Sequence, residues 1–256
     1  MTKDTARQFV NLLAMLAALA VNILSNALPL NGLNTGEISD RFRVYFVPAG
    51  YVFAIWGVIY LGWIAFVIYQ FRPAQKAGPR MRLLGYRFAL SCVFNAVWLF
   101  CWHYELFGLS VLVMLALLAT LILSYLRLKV GRIRVGTAER WSVDIPFGLY
   151  LGWVSVAAIA NISDYLYFVQ WNGFGLAPQV WAVIMLAAAS LIGLGMALTR
   201  RDAAYLFVFV WAFIGIAVKQ SATVLVADAA WAAAGLALAL AVASLTRRGR
   251  PSSAPA

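Results

Sequence analysis

Aromatic and polar side chains recur at helical spacing in three apolar segments of the chain. Residues three and four positions apart share one face of an α-helix, so each set places flat rings beside hydrogen-bonding groups. Polar groups in lipid need partners or a cavity, and three converging faces of this kind would suit a large planar ligand. The sets are Phe53, Trp56, Tyr60 and Trp63; Ser91, Asn95, Trp98 and Trp102; and Tyr150, Trp153, Ala157 and Asn161.

The composition indicates that these faces lie in a membrane. The chain is 64% hydrophobic and only 11% charged, with a mean hydropathy of +0.86, and its apolar runs approach the length of a membrane crossing. Backbone groups in lipid must pair with one another, and the runs are long and continuous, which favours helices. We predict an all-α polytopic membrane helix bundle with eight spans: Phe9 to Leu28, Tyr51 to Phe71, Tyr86 to Phe107, Leu109 to Leu126, Phe147 to Phe168, Val180 to Leu198, Ala203 to Val218 and Thr223 to Leu245.

The distribution of Lys and Arg predicts the orientation of this bundle. Nearly all of these residues fall at the termini and in the even-numbered connections, whereas Arg41, Arg43 and Lys219 fall on the other side. The positive-inside rule then places both termini in the cytoplasm, and we expect an integral protein of a bacterial cytoplasmic membrane. Basic loops beside anionic lipid headgroups account for the net charge of +11 without a nucleic-acid partner.

The first segment resembles a signal peptide in one respect. Lys3 and Arg7 precede an apolar run in which Ala18, Leu19 and Ala20 have the small-x-small form of a cleavage site. The apolar run continues to Leu30, and its removal would leave the basic loops without a helix to alternate against. We therefore expect an uncleaved span.

Motifs of soluble enzymes do not occur in the sequence. Cys92 and Cys101 lie nine residues apart in one predicted helix and point to roughly opposite faces. His103 has no neighbouring ligand in sequence and is expected near the membrane interface. No CxxC, HExxH, Gly-rich phosphate loop or Ser/His/Asp set is present, so no metal and no obligatory cofactor is predicted.

A long connection without periodicity, residues 31–50, follows the first span, and we call it the lid loop. Loops of this length in compact bundles often bind ligands or cover sites, and this one ends at Pro48 just before the Trp56 face. It is expected to cover the outer mouth of the pocket. Arg41 and Arg43 either pair with ligand carboxylates or hold the loop through an ion pair with Asp164.

The order and spacing of these residues resemble the translocator protein family, also called tryptophan-rich sensory proteins or peripheral benzodiazepine receptors. The resemblance rests on Pro48, Phe53, Trp56 and Tyr60, on Asn95-Ala96-Val97-Trp98, and on Tyr150-Leu151-Gly152-Trp153 followed by Ala157 and Asn161. It covers the first five predicted helices.

The resemblance implies a five-helix bundle whose first loop closes over a pocket for porphyrins and, in some members, sterols. It implies ligand-binding roles for Trp56, Tyr60, Asn95, Trp98, Trp153, Ala157 and Asn161, and the helical spacing adds Phe53, Trp102 and Tyr150 to the predicted ligand-binding residues. Some family members are reported to degrade protoporphyrin in light, and Trp56 and Trp153 would be the corresponding tryptophans here.

The chain departs from the family pattern at several points. Paired prolines are missing before the second helix, and Leu149 replaces a proline before the fifth-helix Tyr. The last three predicted helices are interpreted as additions to the family fold. The predicted organisation is therefore a ligand-binding core at 1–170, a three-helix membrane segment at 171–246 and a disordered basic tail at 247–256.

Three classes of function are open to such a chain. The favoured one is a membrane receptor or binding protein for a planar hydrophobic ligand such as a tetrapyrrole, in sensing, sequestration or transport. The alternatives are a small secondary transporter and an enzyme that oxidatively degrades porphyrin in light. Lys219 is expected to pair locally with Asp228 or to reach the interface, with a retinal Schiff base as a remote option. Homodimer formation is left open.

Overall fold

The computed structural model describes residues 2–28 and 30–247, and in this part of the chain the secondary structure is helical. Eight long helices and four short ones follow one another. They are α1 (Lys3–Ala27), α2 (Thr35–Asp40), α3 (Ile55–Gln70), α4 (Pro73–Lys76), α5 (Pro79–Leu84), α6 (Arg87–His103), α7 (Phe107–Arg127), α8 (Thr137–Glu139), α9 (Ile145–Phe168), α10 (Pro178–Thr199), α11 (Ala203–Lys219) and α12 (Val224–Arg247). The part of the predicted tail that follows residue 247 lies outside the described residues.

Local sequence explains where the helices begin and end. The Thr2 side chain caps α1, and the Asp202 carboxylate accepts the first backbone N–H groups of α11, as N-cap residues do. Proline occupies the first turn of α4, α5, α9 and α10, where its missing N–H costs nothing. A single residue with positive φ follows the ends of α6 and α9, at Glu105 and Gln170, and turns the chain back toward the bundle.

Six helical segments are long and apolar enough to cross a membrane, and the chain is an integral membrane protein. They are Lys3–Ser25, Gly50–Gln70, Phe107–Arg127, Thr137–Phe168, Pro178–Thr199 and Val224–Thr246. Helices α6 and α11 have 17 residues each, which corresponds to about 25 Å of rise against a hydrocarbon core of about 30 Å. The prediction of eight spans is therefore supported for six of them.

The packing of the helices explains how the C-terminal segment joins the rest. Helix α6 packs on α1 and α7, α9 packs on α3 and α7, and α11 lies between α9 and α12. Gly152 of α9 faces the Tyr205 carbonyl and Val208 of α11 at a distance that leaves little room for a Cβ. Helix α11 therefore packs closely on α9, the helix that carries Tyr150, Trp153, Ala157 and Asn161.

A polar cluster fastens the end of the bundle away from the lid loop. The Arg80 guanidinium donates to Leu128 O at 2.6 Å, to Asp144 at 2.7 Å and to Glu139 at 2.5 Å. Burial alone would lower the pKa of Arg80, but the hydrogen bonds and charges of Asp144 and Glu139 raise it overall. The cluster ties the connection after α3 to the start of α9.

Candidate functional site

A cavity lies beneath the lid loop, between α3, α6 and α9, and we call it the lid cavity. Its free volume is about 40 Å³, which is room for a few water molecules. Its walls are mainly apolar and aromatic. The lining residues are Thr35, Ser39, Val47, Pro48, Phe53, Trp56, Trp98, Trp102, Trp153, Val156, Ala157, Ala160, Asn161 and Asp164.

Ring contacts make one side of the lid cavity rigid. The Trp153 ring meets Phe53 at a centroid distance of 5.7 Å and Trp56 at 6.3 Å, both nearly perpendicular. On the α6 side Trp98 and Trp102 stack at 5.8 Å and an interplanar angle of 19°. Aromatic pairs favour such edge-to-face and offset geometries, so the rings hold one another in place around the cavity.

The polar groups of the lid cavity fall into a satisfied set and an unsatisfied set. Trp98 Nε1 donates to Asn161 Oδ1 at 3.1 Å, and Asn161 Nδ2 donates to Ser110 Oγ at 3.0 Å. By contrast, Trp153 Nε1 and Asp164 Oδ1 are buried and have no hydrogen-bond partner in the part of the chain that the structure describes. One donor and one acceptor are thus left for a guest, and buried polar groups of this kind call for an explanation.

The lid loop is built around α2 and anchored to α6. Asn34 accepts from the backbone N–H groups of Gly36 and Glu37, while the Glu37 carboxylate accepts from Asn34 N, a capping box. The Trp102 indole donates to Thr35 O at 3.2 Å. These contacts fix Thr35 and the helix that follows it directly above the cavity.

His103 is a second anchor of the lid loop. Its Nε2 lies 3.1 Å from Thr35 Oγ1, its Nδ1 lies 3.0 Å from Leu30 O, and its own carbonyl accepts from Asn31 Nδ2 at 3.0 Å. The side chain is 1% exposed. His103 is the last residue of α6, and the loop folds back over this helix end and buries the imidazole.

Helix α11 holds the other end of the lid loop. Ala49 N donates to Gly215 O at 3.1 Å, and the Trp211 indole donates to Val52 O at 2.9 Å. A Cβ at Gly215 would overlap the Val52 side chain, so glycine is what permits this close approach. The segment interpreted as an addition to the core is therefore part of the clamp on the lid.

Two ion pairs join the outer surface of the lid loop to neighbouring helix ends. Lys219 pairs with Asp40 at 2.6 Å, and Arg41 pairs with Glu105. The predicted local pair between Lys219 and Asp228 is wrong, because the lid loop brings Asp40 to the end of α11. The predicted alternative of an arginine pair with Asp164 is also wrong, since Arg41 reaches Glu105 and Arg43 is exposed.

The predicted site residues divide by depth. Phe53, Trp56, Trp98, Trp102, Trp153, Ala157 and Asn161 line the lid cavity together with Pro48, whereas Arg41 and Arg43 do not. Tyr60, Asn95 and Tyr150 lie one turn farther from the lid on α3, α6 and α9, outside the lining.

The deeper residues form what we call the deep cluster: Asn22, Tyr60, Trp63, Asn95 and Tyr150. Tyr60 OH donates to Asn22 Oδ1 at 2.6 Å, and Asn22 Nδ2 donates to Asn95 Oδ1 at 2.7 Å. The Tyr150 ring contacts Trp63 at 5.1 Å, and Trp63 is 2% exposed. These side chains bond to or pack against one another and form the floor of the cavity, although Asn95 Nδ2 and Trp63 Nε1 have no hydrogen-bond partner among the described residues.

Several lining residues were not predicted from the sequence. Thr35, Ser39 and Val47 belong to the lid loop, whose lack of periodicity gives no side-chain direction. Val156 and Ala160 flank the predicted α9 face. The capping box at Asn34 and Glu37 was the one available signal for a helix inside the loop. Among the described residues there is no group of three His, Cys, Asp or Glu side chains able to hold a metal.

Comparison with known proteins gives a family match. The sequence matches a family described as TSPO-like protein over residues 8–244. Neither the curated proteins nor the solved structures compared with the chain gave a match. The matched region includes the three C-terminal helices, so the interpretation of these helices as additions beyond the family is wrong.

Proposed function

The chain belongs to the TSPO-like protein family, and from this we propose that it is a membrane binding protein for a planar hydrophobic ligand of the tetrapyrrole class. The observation that carries the proposal is the lid cavity, with its aromatic walls, its two unpartnered polar groups and its covering loop. Flat rings recover stacking and apolar burial against such walls, while a few polar groups orient them. Sensing, sequestration and transport all begin with this binding step.

Ligand entry requires the lid loop to move. Ligand pockets usually measure about 300–1,000 Å³, far more than the free volume of about 40 Å³ in the closed arrangement. The ion pairs on the outer surface of the loop are exposed, and pairs of that kind contribute about 0–1 kcal/mol each. Most of the resistance to opening therefore comes from the buried contacts with Trp102, His103 and Trp211.

Tryptophan fluorescence of the full chain in nonionic detergent provides the test. Protoporphyrin dimethyl ester should quench the emission saturably, because Trp56, Trp98, Trp102 and Trp153 surround the cavity. An aliphatic quencher of similar hydrophobicity, which partitions only into the micelle, serves as the control. Quenching that rises linearly with ligand and does not saturate would contradict the proposal.

A light-dependent porphyrin-degrading enzyme is the second candidate. The observation that favours it is the contact between Trp56 and Trp153, both of which line the lid cavity. Illumination of the loaded protein, followed by product analysis, separates the two functions. Loss of turnover in Trp153→Phe with binding retained would support the enzyme, and saturable binding without turnover would support the binding protein. Counterflow in liposomes would instead indicate a transporter.

The proposal extends to the arrangement in the membrane. We take all eight long helices as spans and place both termini in the cytoplasm of a bacterial cell, because the basic residues cluster at the termini and even-numbered connections. Single cysteines introduced into the lid loop and into the α7–α8 connection, in a variant with Cys92 and Cys101 replaced by Ser, test this. Impermeant maleimide should label the former from outside and the latter only after permeabilisation; the reverse pattern would contradict the topology. Dimer formation remains a prediction.

A further inference from the structure

Asp164 is the acidic side chain in the wall of the lid cavity. It is 2% exposed, and its Oδ1 has no hydrogen-bond partner among the described residues. A buried carboxylate without compensation is costly to a fold. Its presence at a cavity wall therefore needs a reason beyond packing.

Among the described residues, no cation forms an ion pair with this carboxyl group. The charged groups that act on Asp164 are Lys219 and Asp40, which have opposite signs and form an ion pair with each other at 2.6 Å. Among the described residues that line the cavity there is no Lys, Arg or His. A cationic guest would therefore supply a counter-charge that the lining residues do not supply.

The remaining walls suit a positive guest. Four indole rings and the Phe53 ring line the same cavity as Asp164, and the negative faces of aromatic rings attract cations, with Trp the strongest of them. Asp164 follows Asn161 by three residues and Ala157 by seven, so all three share one face of α9. At 1.5 Å of rise per residue, the carboxylate lies about 10 Å beyond Ala157 along the helix axis, toward the lid.

We propose that Asp164 is a ligand-binding residue that pairs with a protonated nitrogen of the guest, so that the lid cavity prefers flat aromatic cations to neutral or anionic molecules of the same shape. The ring system would lie among the indoles, with the nitrogen directed toward the lid end of α9. The inference rests on the proposed function in one respect only, that a planar ligand enters this cavity.

Three acridines of one ring frame test the preference. At neutral pH 9-aminoacridine is a cation, acridine is neutral and acridine-9-carboxylate is an anion. Binding is measured by tryptophan quenching of the full chain in nonionic detergent, which avoids charged lipid. We expect the cation to bind at least about ten-fold more tightly than acridine, since hydrogen bonds to charged groups are the strong ones. We expect the anion to bind most weakly.

The Asp164→Asn variant keeps the shape of the side chain and removes its charge. It should lose about ten-fold in affinity for 9-aminoacridine and change by less than two-fold for acridine, and retained acridine binding also shows that the variant is folded. Asp228→Asn is the matched control, because it removes the same charge at an exposed position near the same end of the bundle. It should leave all three affinities unchanged.

The outcomes separate this inference from the proposed function. Equal affinities of the wild-type chain for the cation and for acridine, or an unchanged affinity for the cation in Asp164→Asn, would overturn the role of Asp164 while leaving a planar-ligand site intact. If neither protoporphyrin dimethyl ester nor any acridine binds saturably, the proposed function and the inference both fail.

Discussion

The lid cavity and the deep cluster are about one helical turn apart, and yet only the lid cavity is hollow. Around Trp63 and Tyr150 of the deep cluster, the rings of Phe66, Phe88 and Phe147 pack closely and leave no room for a water-sized guest. Under the lid loop, Ala157, Ala160, Thr35 and Ser39 stand among the indoles and leave about 40 Å³. Small side chains between large rings thus make the difference between a packed core and a binding site.

Hydrogen bonding does not separate the two regions. In the deep cluster Tyr60, Asn22 and Asn95 bond to one another, but Asn95 Nδ2 and Trp63 Nε1 have no partner among the described residues, as Trp153 Nε1 and Asp164 Oδ1 have none at the cavity. Buried polar groups are normally satisfied, and only the two at the cavity border free space that a ligand can enter. The comparison therefore predicts that substitutions at the cavity change binding and that substitutions one turn deeper change stability.

Filling the cavity should have the largest effect. Ala157→Trp places an indole in the free space, and we expect affinity for protoporphyrin dimethyl ester to fall by a factor on the order of 100, equivalent to about 2.7 kcal/mol. Ala119→Trp is the control, because Ala119 is exposed on α7. Fluorescence titration would measure both, and wild-type affinity in Ala157→Trp would mean that the ligand binds elsewhere.

Loosening the lid should have the next largest effect. A Cβ at Gly215 overlaps Val52, so Gly215→Ala should cost about 1–3 kcal/mol of stability through overpacking and should speed ligand association. Gly235→Ala, on a part of α12 with open space around it, should be neutral or slightly stabilising. Thermal unfolding and stopped-flow quenching test this. Identical behaviour of the two variants would mean that the contact with α11 does not hold the lid loop in place.

Disturbing the deep cluster should change stability and spare binding. Asn22→Leu removes the hydrogen bonds to Tyr60 and Asn95, and we expect a loss of about 1 kcal/mol, since interhelical hydrogen bonds in membranes average about 0.6 kcal/mol each. Affinity should stay within two-fold of the wild type. A loss of affinity much larger than the loss of stability would place the deep cluster in direct contact with the ligand.

Changing the surface arginines should have the smallest effect. Neither Arg41 nor Arg43 lines the cavity, and Arg41 is paired with Glu105. The double substitution Arg41→Gln with Arg43→Gln should therefore change affinity for protoporphyrin and for its dimethyl ester alike, by less than two-fold. A selective loss for the dicarboxylate would show that the arginines reach ligand carboxylates once the lid has moved.

The sequence predicted the helices and the inward faces of three of them, and it could not predict depth. Residues at helical spacing, such as Trp56 and Tyr60, define one side of a helix. Whether a given turn lines a cavity or is closely packed depends on residues from other helices, here Asn22 from α1. Trp63 belongs to the same set as Trp56 and Tyr60, and the packing of Phe88 and Tyr150 against it was likewise not evident from the set itself.

Contacts between distant parts of the chain were also beyond prediction. The pairing of Asp40 with Lys219 and of Val52 with Trp211 joins segments about 160–180 residues apart, and no local pattern encodes such contacts. The lid itself was predictable from its length and its position before the Trp56 face. The directions of its side chains were not predictable, because they are set by the capping box of α2 and by contacts with the buried His103.

Photolabelling with an azido-acridine tests the central claim, a guest site between the lid loop and the indoles of α3, α6 and α9, most directly. After illumination and mass spectrometry, the label should lie on peptides that contain Thr35 to Ser39, Trp98 to Trp102 and Trp153 to Asp164, and excess 9-aminoacridine should abolish it. Label confined to exposed positions of α10 and α12, and insensitive to competitor, would contradict the account.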